Sequence, residues 1–438
     1  EAKGEYLVLL NNDTAVVDAD WLDELLNHGR RPEVGIVGAK LHYPDGRIQH
    51  GGVILGLNGP ADHPFIGDPQ HAAGYMQRLL VDQDYSAVTA ACLLIRREVY
   101  EAVGGMDEVD FKVSYNDVDL CLKVREAGYL TLWTPYAALL HEGSVSQREL
   151  AADQREAKLR RFRGEQQAMY RKWLPLLAQD PAYNPNLSLQ RAGFELDVAR
   201  GVAWQPFVQP LMPRVVAYPA DATGCGHYRV RQPFLAMQRQ GLLEGALSSN
   251  LLDPVELQRF DADSVVLQRQ VTDAQLDAIE QMKAFNRSFR VYELDDYLPN
   301  LPLKSLHRDE MPRDILRSLR RAVSMCDRFV VSTDALAESL ADLHSDIRVL
   351  PNRLPVDWWE GRTSRRRVGR KPRVGWAGGV GHTGDLELIA DVVRDLADEV
   401  DWVFFGLCPD KLRPYVSEYY PGVAIADYPE RLASLDLD

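Results

Sequence analysis

The chain has 438 residues, 46% of them hydrophobic and 26% charged, with a net charge of −14. Such a length calls for two or three separate cores, the acidic balance argues against nucleic acid as a partner, and no apolar run approaches the roughly 20 residues that span a bilayer. The five cysteines, Cys92, Cys121, Cys225, Cys326 and Cys408, are scattered without a C-x-x-C pair, which fits reduced core thiols in a cytoplasmic protein.

From residue 1 to about 143 the chain alternates apolar runs with amphipathic helical stretches, the pattern of a layered α/β domain. Leu7–Leu10 reads as a strand buried on both faces. Asp20 is placed to cap a helix whose apolar face is Trp21, Leu22, Leu25 and Leu26. Val34–Ala39 is the next strand, and Pro44-Asp45-Gly46 is a turn. A loop rich in glycine, proline and histidine runs from Gly51 to Gly74. A strand through Val88–Ile95 follows, then a helix over 117–127 that ends at Gly128, a C′ glycine. Leu130–Trp133 reads as a strand stopped by Pro135.

Residues 148–173 are charged and helical. Prolines 175, 181, 185 and 206 then interrupt the pattern, so 148–212 reads as a linker. A second α/β unit is expected over 213–361, with strands at Arg214–Tyr218, Ser264–Gln268, Arg290–Leu294 and Arg328–Ser332 and a helix over 233–240. A third opens at 362 with a basic run and continues through Val374–Ala377 and Trp402–Phe405. The first residues enter a strand at once and the last leave a helix for another, which reads as the middle of a longer protein.

Three short motifs of the first unit carry chemistry. Asn11-Asn12-Asp13 follows the first strand, where ligands bind in open α/β sheets. Residues two apart in extended chain point the same way, so Asn11 and Asp13 can offer oxygens to one hard cation, Mg²⁺ or Mn²⁺. The plain alternative is an Asn/Asp turn. Asp117 and Asp119 fall in the first turn of a helix, where the dipole favours a carboxylate. Asp117 then suits a general base, and Asp119 an acceptor contact, against simple capping for either. His141-Glu142-Gly143 supplies an imidazole that can complete a metal shell, against a solvated loop histidine.

In the second half, Thr223-Gly-Cys-Gly-His-Tyr-Arg229 follows a strand. Its Gly226 can bring an amide close to a phosphate or sugar with Arg229 beside it, or be a plain turn. Asp295 and Asp296 end another strand, as acceptor contacts or helix caps. Gly375-Trp-Ala-Gly378-Gly379-Val-Gly381-His382 contains G-x-G-x-x-G between a strand and a helix. A dinucleotide site also wants an acidic residue at the tip of the next strand, and 402–405 is followed by Gly-Leu-Cys instead. A helix N-terminus faces the diphosphate of a sugar nucleotide equally well. The basic run at 362–373 and the arginine-rich helix at 155–172 could meet anionic lipid, although exposed charge is the simpler reading.

Taken together and in this order, the metal-like Asn-Asn-Asp, Ala90-Ala91-Cys92-Leu-Leu-Ile-Arg96-Arg97, Gly104-Gly105-Met-Asp107-Glu108, the Asn116-Asp117-Val-Asp119-Leu helix start and His-Glu-Gly resemble family 2 glycosyltransferases of the GT-A fold. The resemblance covers residues 1 to about 145. It implies inverting transfer from a nucleotide-diphosphate sugar, with Asp13 and His141 at the metal, Asn11 by the donor and Asp117 as base. Asn11 and Asn116 stand where that family commonly has acids, and the family's base-binding strands, which precede the metal motif, are missing.

Residues 213–438 resemble the family 4 type of GT-B transferase through the glycine loop, the Asp-Asp strand end, Val331-Ser-Thr-Asp-Ala-Leu336, Val349-Leu-Pro-Asn352 and the glycine-rich opening. This implies a retaining, metal-free transfer with Gly378, Gly379 and His382 by the diphosphate. The fold expected is α/β throughout: a truncated GT-A domain with a Rossmann-like mixed sheet at 1–147, the linker at 148–212, then GT-B-type Rossmann-like domains at 213–361 and 362–438. The implied partners are a nucleotide sugar and a glycan or lipid-linked glycan of the cell-surface polysaccharide type, with peripheral contact at the inner membrane face. The rival readings are a non-catalytic glycan- or nucleotide-binding scaffold and a nicotinamide-dependent oxidoreductase.

Overall fold

The computed structural model describes residues 2–143, 152–197, 212–300, 311–362 and 371–438. The chain forms two α/β units, one of residues 1–209 with 252–261 and one of 210–251 with 262–438.

The first unit is built on a seven-stranded mixed sheet. Its strands are β1 (Tyr6–Leu10), β2 (Thr14–Val16), β3 (Val34–His42), β4 (Ile48–His50), β7 (Gln83–Tyr85), β8 (Cys92–Arg96) and β9 (Leu130–His141), while β5 (Ile54–Leu55) and β6 (Ala61–Asp62) form a separate small ribbon. The main order is β1-β8-β3-β9-β2, with β4 on β3 and β7 on β9. Only the β3–β9 pairing is parallel. β3 is buried along its whole length, as a central strand should be. Helix α1 (Trp21–Gly29) lays Leu25 into a core with Val37, Ala39, Leu94 and Leu139, and the short helix α2 (Arg97–Ala102) follows β8.

Four details depart from the sequence reading. β1 lies beside β8 alone, so Val8 and Leu10 are exposed rather than buried. Asp20 precedes α1 without any side-chain capping bond. The strand expected from Val88 starts only at Cys92. β9 runs on through Pro135 to His141, because its pairing with β3 skips from Thr134 to Ala138 and lets the proline sit where no ladder N–H is needed. His141 therefore closes a long strand and does not sit in a loop behind a breaker.

The largest correction concerns the expected linker. Helix α4 (Ala152–Ala178) continues through Pro175 and buries Met169, Tyr170, Trp173, Leu174 and Leu177. It grips helix α3 (Asn116–Glu126) and the loop before it by polar contacts. Asp119, wholly buried, accepts from the Trp173 indole N–H at 2.8 Å and pairs with Lys172 at 2.6 Å. Glu165 accepts from the backbone N–H groups of Lys112, Val113 and Ser114 at 3.0–3.1 Å. Asp180, just past α4, accepts from Leu55 N–H at 2.8 Å and from the Ser86 hydroxyl. The linker's Pro206 and residues 198–211 lie outside the described residues.

The second unit holds a six-stranded parallel sheet of order β11-β10-β12-β13-β14-β15 and a three-stranded parallel sheet of order β16-β17-β18. The first comprises β10 (Arg214–Tyr218), β11 (Glu244–Leu247), β12 (Ser264–Gln268), β13 (Phe289–Leu294), β14 (Arg328–Val331) and β15 (Ile347–Val349). The second comprises β16 (Arg373–Ala377), β17 (Asp401–Gly406) and β18 (Glu418–Pro421). The direction of winding reverses between β10 and β12, so a crevice opens at their carboxyl ends. Of the basic run, residues 363–370 lie outside the described residues. Among the described residues no helix is long and apolar enough to cross a membrane.

Breaking the α3–α4 grip tests its worth. Asp119→Ala orphans the buried Trp173 N–H and is expected to cost about 1–3 kcal/mol, whereas Asp119→Asn keeps an acceptor and costs less. Urea unfolding should show a lower midpoint at unchanged slope; equal midpoints for wild type and Asp119→Ala would show that the contact carries no stability.

Candidate functional site

The three motifs of the first unit meet at the end of the mixed sheet. The Asn11 N–H donates to the Ala91 carbonyl at 3.0 Å, and the Ala90 N–H donates to Asp117 Oδ2 at 3.1 Å. One dipeptide thus ties the residue after β1 to the first turn of α3. On the other side, Thr14 pairs with His141 in the β2–β9 register, and the Glu142 N–H donates to the Asp13 carbonyl at 3.0 Å.

Asp117 is half-buried, with its second oxygen accepting from the Val118 N–H at 2.9 Å. Two backbone donors and the start of an eleven-residue helix therefore fix both oxygens of its carboxyl group. Asn116 Oδ1 accepts from the Asp117 N–H at 2.8 Å and supplies the local turn.

At the cation candidates the decisive residue is Gln49, which the sequence reading missed. Its Nε2 donates to the His141 carbonyl at 3.3 Å, which directs Oε1 to His141 Nδ1 at 2.6 Å. Nδ1 then carries the ring proton, and the Nε2 lone pair faces Asp13 and accepts from the Asn11 amide nitrogen. Nε2 lies 3.1 Å from Asp13 Oδ1 and 3.2 Å from the Asn11 amide. Two acceptors face each other, so a proton or a cation belongs between them. Neighbouring ligands of an octahedral ion with bonds of about 2.1 Å lie about 3 Å apart, so this donor set suits a small divalent cation.

Asp119 takes no part in the site. The sequence reading allowed it an acceptor contact, but it is wholly buried beneath α4 and committed to Trp173, Lys172 and Lys123. Gln49 could not be found from spacing, because its partner is 92 residues away.

In the second unit, Gly226 and Arg229 are structural. The Gly226 N–H is taken by Asp221 Oδ1 at 3.2 Å, and a Cβ there would lie 2.0 Å from the Asp221 carbonyl oxygen, so glycine serves close packing rather than a phosphate. Arg229 is buried on Glu293 at 2.6 Å and on Asn352 at 3.0 Å. Burial pushes the Glu293 carboxyl up to about 7 against the pull of Arg229.

Asp295 and Asp296 lie at the carboxyl end of β13 with Cys225, whose thiol can share a ligand cluster with them. Arg269 answers this charge, bonding Asp221 at 3.0 Å and lying 3.8 Å from Asp296. Burial, then the neighbouring Asp295, hold the Asp296 carboxyl above its usual range, with Arg269 and His382 opposing.

The glycine-rich opening differs from the expected phosphate cradle. The Gly378 N–H is spent on the Phe405 carbonyl at 3.1 Å, and the helix after it, Thr383–Leu388, has six residues. Gly379 stands in open space, and His382 pairs with Asp385 at 3.0 Å on the surface.

No family model matches the chain. Curated proteins match parts of it. The chain is 50% identical over 200 residues to the protein y4gI of Sinorhizobium fredii, a match covering 46% of this chain and 22% of that protein. It is 41% identical over 193 residues to the O-antigen biosynthesis protein RfbC of Myxococcus xanthus, covering 43% and 14%. It is 31% identical over 141 residues to an N-acetylglucosaminyl-diphospho-decaprenol L-rhamnosyltransferase of Mycobacterium tuberculosis, covering 30% and 46%. The chain spans less than half the length of each of these relatives.

Proposed function

We propose that the first unit is the catalytic part of a GT-A-type glycosyltransferase that moves a sugar from a nucleotide-diphosphate donor to a growing cell-surface glycan. The observation that carries this reading is the convergence of Asn11, Asp13 and His141 on one set of outward-facing donors, tied through Ala90–Ala91 to the carboxylate of Asp117. The partial matches to an O-antigen biosynthesis protein and a rhamnosyltransferase support the chemistry and the polysaccharide setting.

In this reading Asp13 and His141 hold Mg²⁺ or Mn²⁺, with the Asn11 amide turned to offer its oxygen. The cation, when bound, neutralises the donor's diphosphate. Asp117 takes the proton of the acceptor hydroxyl as its oxygen bonds to the anomeric carbon. The bond from that carbon to the diphosphate oxygen breaks, and the nucleoside diphosphate leaves with the electron pair. Attack opposite the leaving group inverts the anomeric centre. The parallel sheets of the second unit support a GT-B-type reading, with Asp295 and Asp296 facing an acceptor at the crevice; a lipid-linked acceptor would bring the protein to the inner membrane face.

Transfer is measured with the full-length protein, a panel of nucleotide sugars and Mn²⁺. Asp117→Asn is expected to lower turnover by about 100-fold or more while nucleotide binding persists, and Asp13→Ala to abolish the Mn²⁺-dependent turnover. Turnover surviving both substitutions sinks the assignment. Gln49→Leu frees the His141 ring, and calorimetric titration with Mn²⁺ should show affinity about 10- to 100-fold weaker; unchanged affinity would remove His141 from the cation's shell.

A further inference from the structure

The loop from Gly51 to Gly74 ends one strand of chemistry that the transfer step leaves unused. His50 closes β4 and lies almost wholly buried, at 1% exposure. Its Nδ1 sits 2.8 Å from Nδ1 of His63, the residue after β6, with the two rings edge to face. One proton must lie between these nitrogens, and it belongs to one ring or the other.

The far side of His50 decides which. Among the described residues its Nε2 is buried and has no hydrogen-bond partner. If His63 owned the shared proton, a neutral His50 would carry its own on Nε2, as a buried N–H with no acceptor. Orphaned buried N–H groups are the rarest of unsatisfied groups, and leaving one costs a full desolvation penalty. The shared proton is therefore placed on His50. His63 then accepts at Nδ1 and carries its own proton on Nε2.

His63 is also anchored and aimed. Its backbone N–H donates to Asp62 Oδ1 at 2.8 Å, and Asp62 Oδ2 accepts from Asn58 at 2.9 Å. Asn58 is pinned in turn by both backbone groups of Arg191 at 2.8 Å. The segment lies within electrostatic reach of the start of α3: the Asp117 carboxylate acts on the His63 ring, and Asp62 acts on the Tyr115 phenol. Burial holds both imidazoles below the usual histidine range, His50 most strongly, while Asp117 and Asp62 pull His63 partly back. Unlike His50, His63 is only half-buried.

We propose that His63, fixed by His50 as its Nε2–H tautomer, is a sugar-positioning residue that donates a neutral hydrogen bond to a hydroxyl of the acceptor beside Asp117. The role of the acceptor rests on Asp117 being the base; the tautomer does not. No proton is transferred by His63. It binds a hydroxyl next to the attacking one, and the attacking proton goes to Asp117 as before. A neutral donor suits this place, since an imidazolium beside Asp117 would weaken the carboxylate as a base.

The test begins on the unmodified full chain, labelled with ¹⁵N at histidine. Long-range proton–nitrogen spectra, assigned with His50→Phe and His63→Gln, should show His50 protonated on Nδ1 and His63 on Nε2, both neutral at pH 7.5. Octyl glycosides of glucose, rhamnose and N-acetylglucosamine then serve as acceptor probes. At least one should shift the His63 Nε2 signal, with affinity falling about fivefold or more in His63→Ala and largely kept in His63→Gln, which retains a donor. Finding His63 protonated on Nδ1, or as imidazolium, overturns the proposal, as does a His63 signal unmoved by all three probes. If the tautomers and probe binding are as stated but Asp117→Asn keeps full turnover, the base assignment fails and the sugar site at His63 stands.

Discussion

The geometry of the first unit depends on a carboxylate placed where water cannot reach it. Asp119 is completely buried, and ionised carboxylates are tolerated there only when paired and hydrogen-bonded. Lys172 supplies the charge and Trp173 the directed N–H, both from α4. Seven residues before Lys172 and eight before Trp173 on the same helix, Glu165 takes three consecutive backbone N–H groups of the loop that enters α3. The loop is thus held by an anion and the helix by a cation, and Asp117 lies between the two holds. Its position is therefore fixed from α4.

A second economy lies in β4. Successive strand residues project to opposite faces, and here Gln49 and His50 each orient an imidazole on their own side. Gln49 forces the proton of His141 onto Nδ1 and bares Nε2 toward Asp13. His50 does the reverse to His63: its Nδ1–H donates to His63 Nδ1, which leaves the His63 ring proton on Nε2. In the proposed reading, one strand of three residues prepares a lone pair for a cation at one place and a donor for a hydroxyl at another.

Much of the α/β pattern was legible because hydrophobic runs report burial locally. β10 and β12 begin and end where their apolar runs do, and α3 ends at Gly128 with φ +92°, as a C′ glycine should. The motif residues Asn11, Asp13 and Asp117 were also visible, since each follows a strand or starts a helix, and His141 was visible through its His-Glu-Gly motif although the end of its strand was not. What spacing could not reveal was partnership. Gln49 lies 92 residues from His141, and Glu165 lies more than 50 from the amides it binds. The charged face of α4 reads as solvent-exposed until those amides are in view, and its buried Trp173 and Leu177 arrive among prolines that suggest a linker. Pro135 misled for the opposite reason: it ends a strand only where a ladder N–H is required, and β9 has a bulge there.

The second unit shows why a glycine motif needs its hydrogen bonds counted. A loop cradles a phosphate by leaving amides free, and at both glycine loops an amide is already spent, on Asp221 at Gly226 and on Phe405 at Gly378. The arginine nearest the first loop, Arg229, is consumed by Glu293. An anionic ligand at this crevice would therefore have to be met by Arg269, which must first leave Asp221 and Asp296. Polyhydroxyl ligands make no such demand, because Asp295 and Asp296 can accept from their O–H groups while Arg269 stays paired. The balance of charge at the carboxyl ends of β10, β12 and β13 thus favours a sugar face over a phosphate face, in keeping with an acceptor role proposed for this sheet.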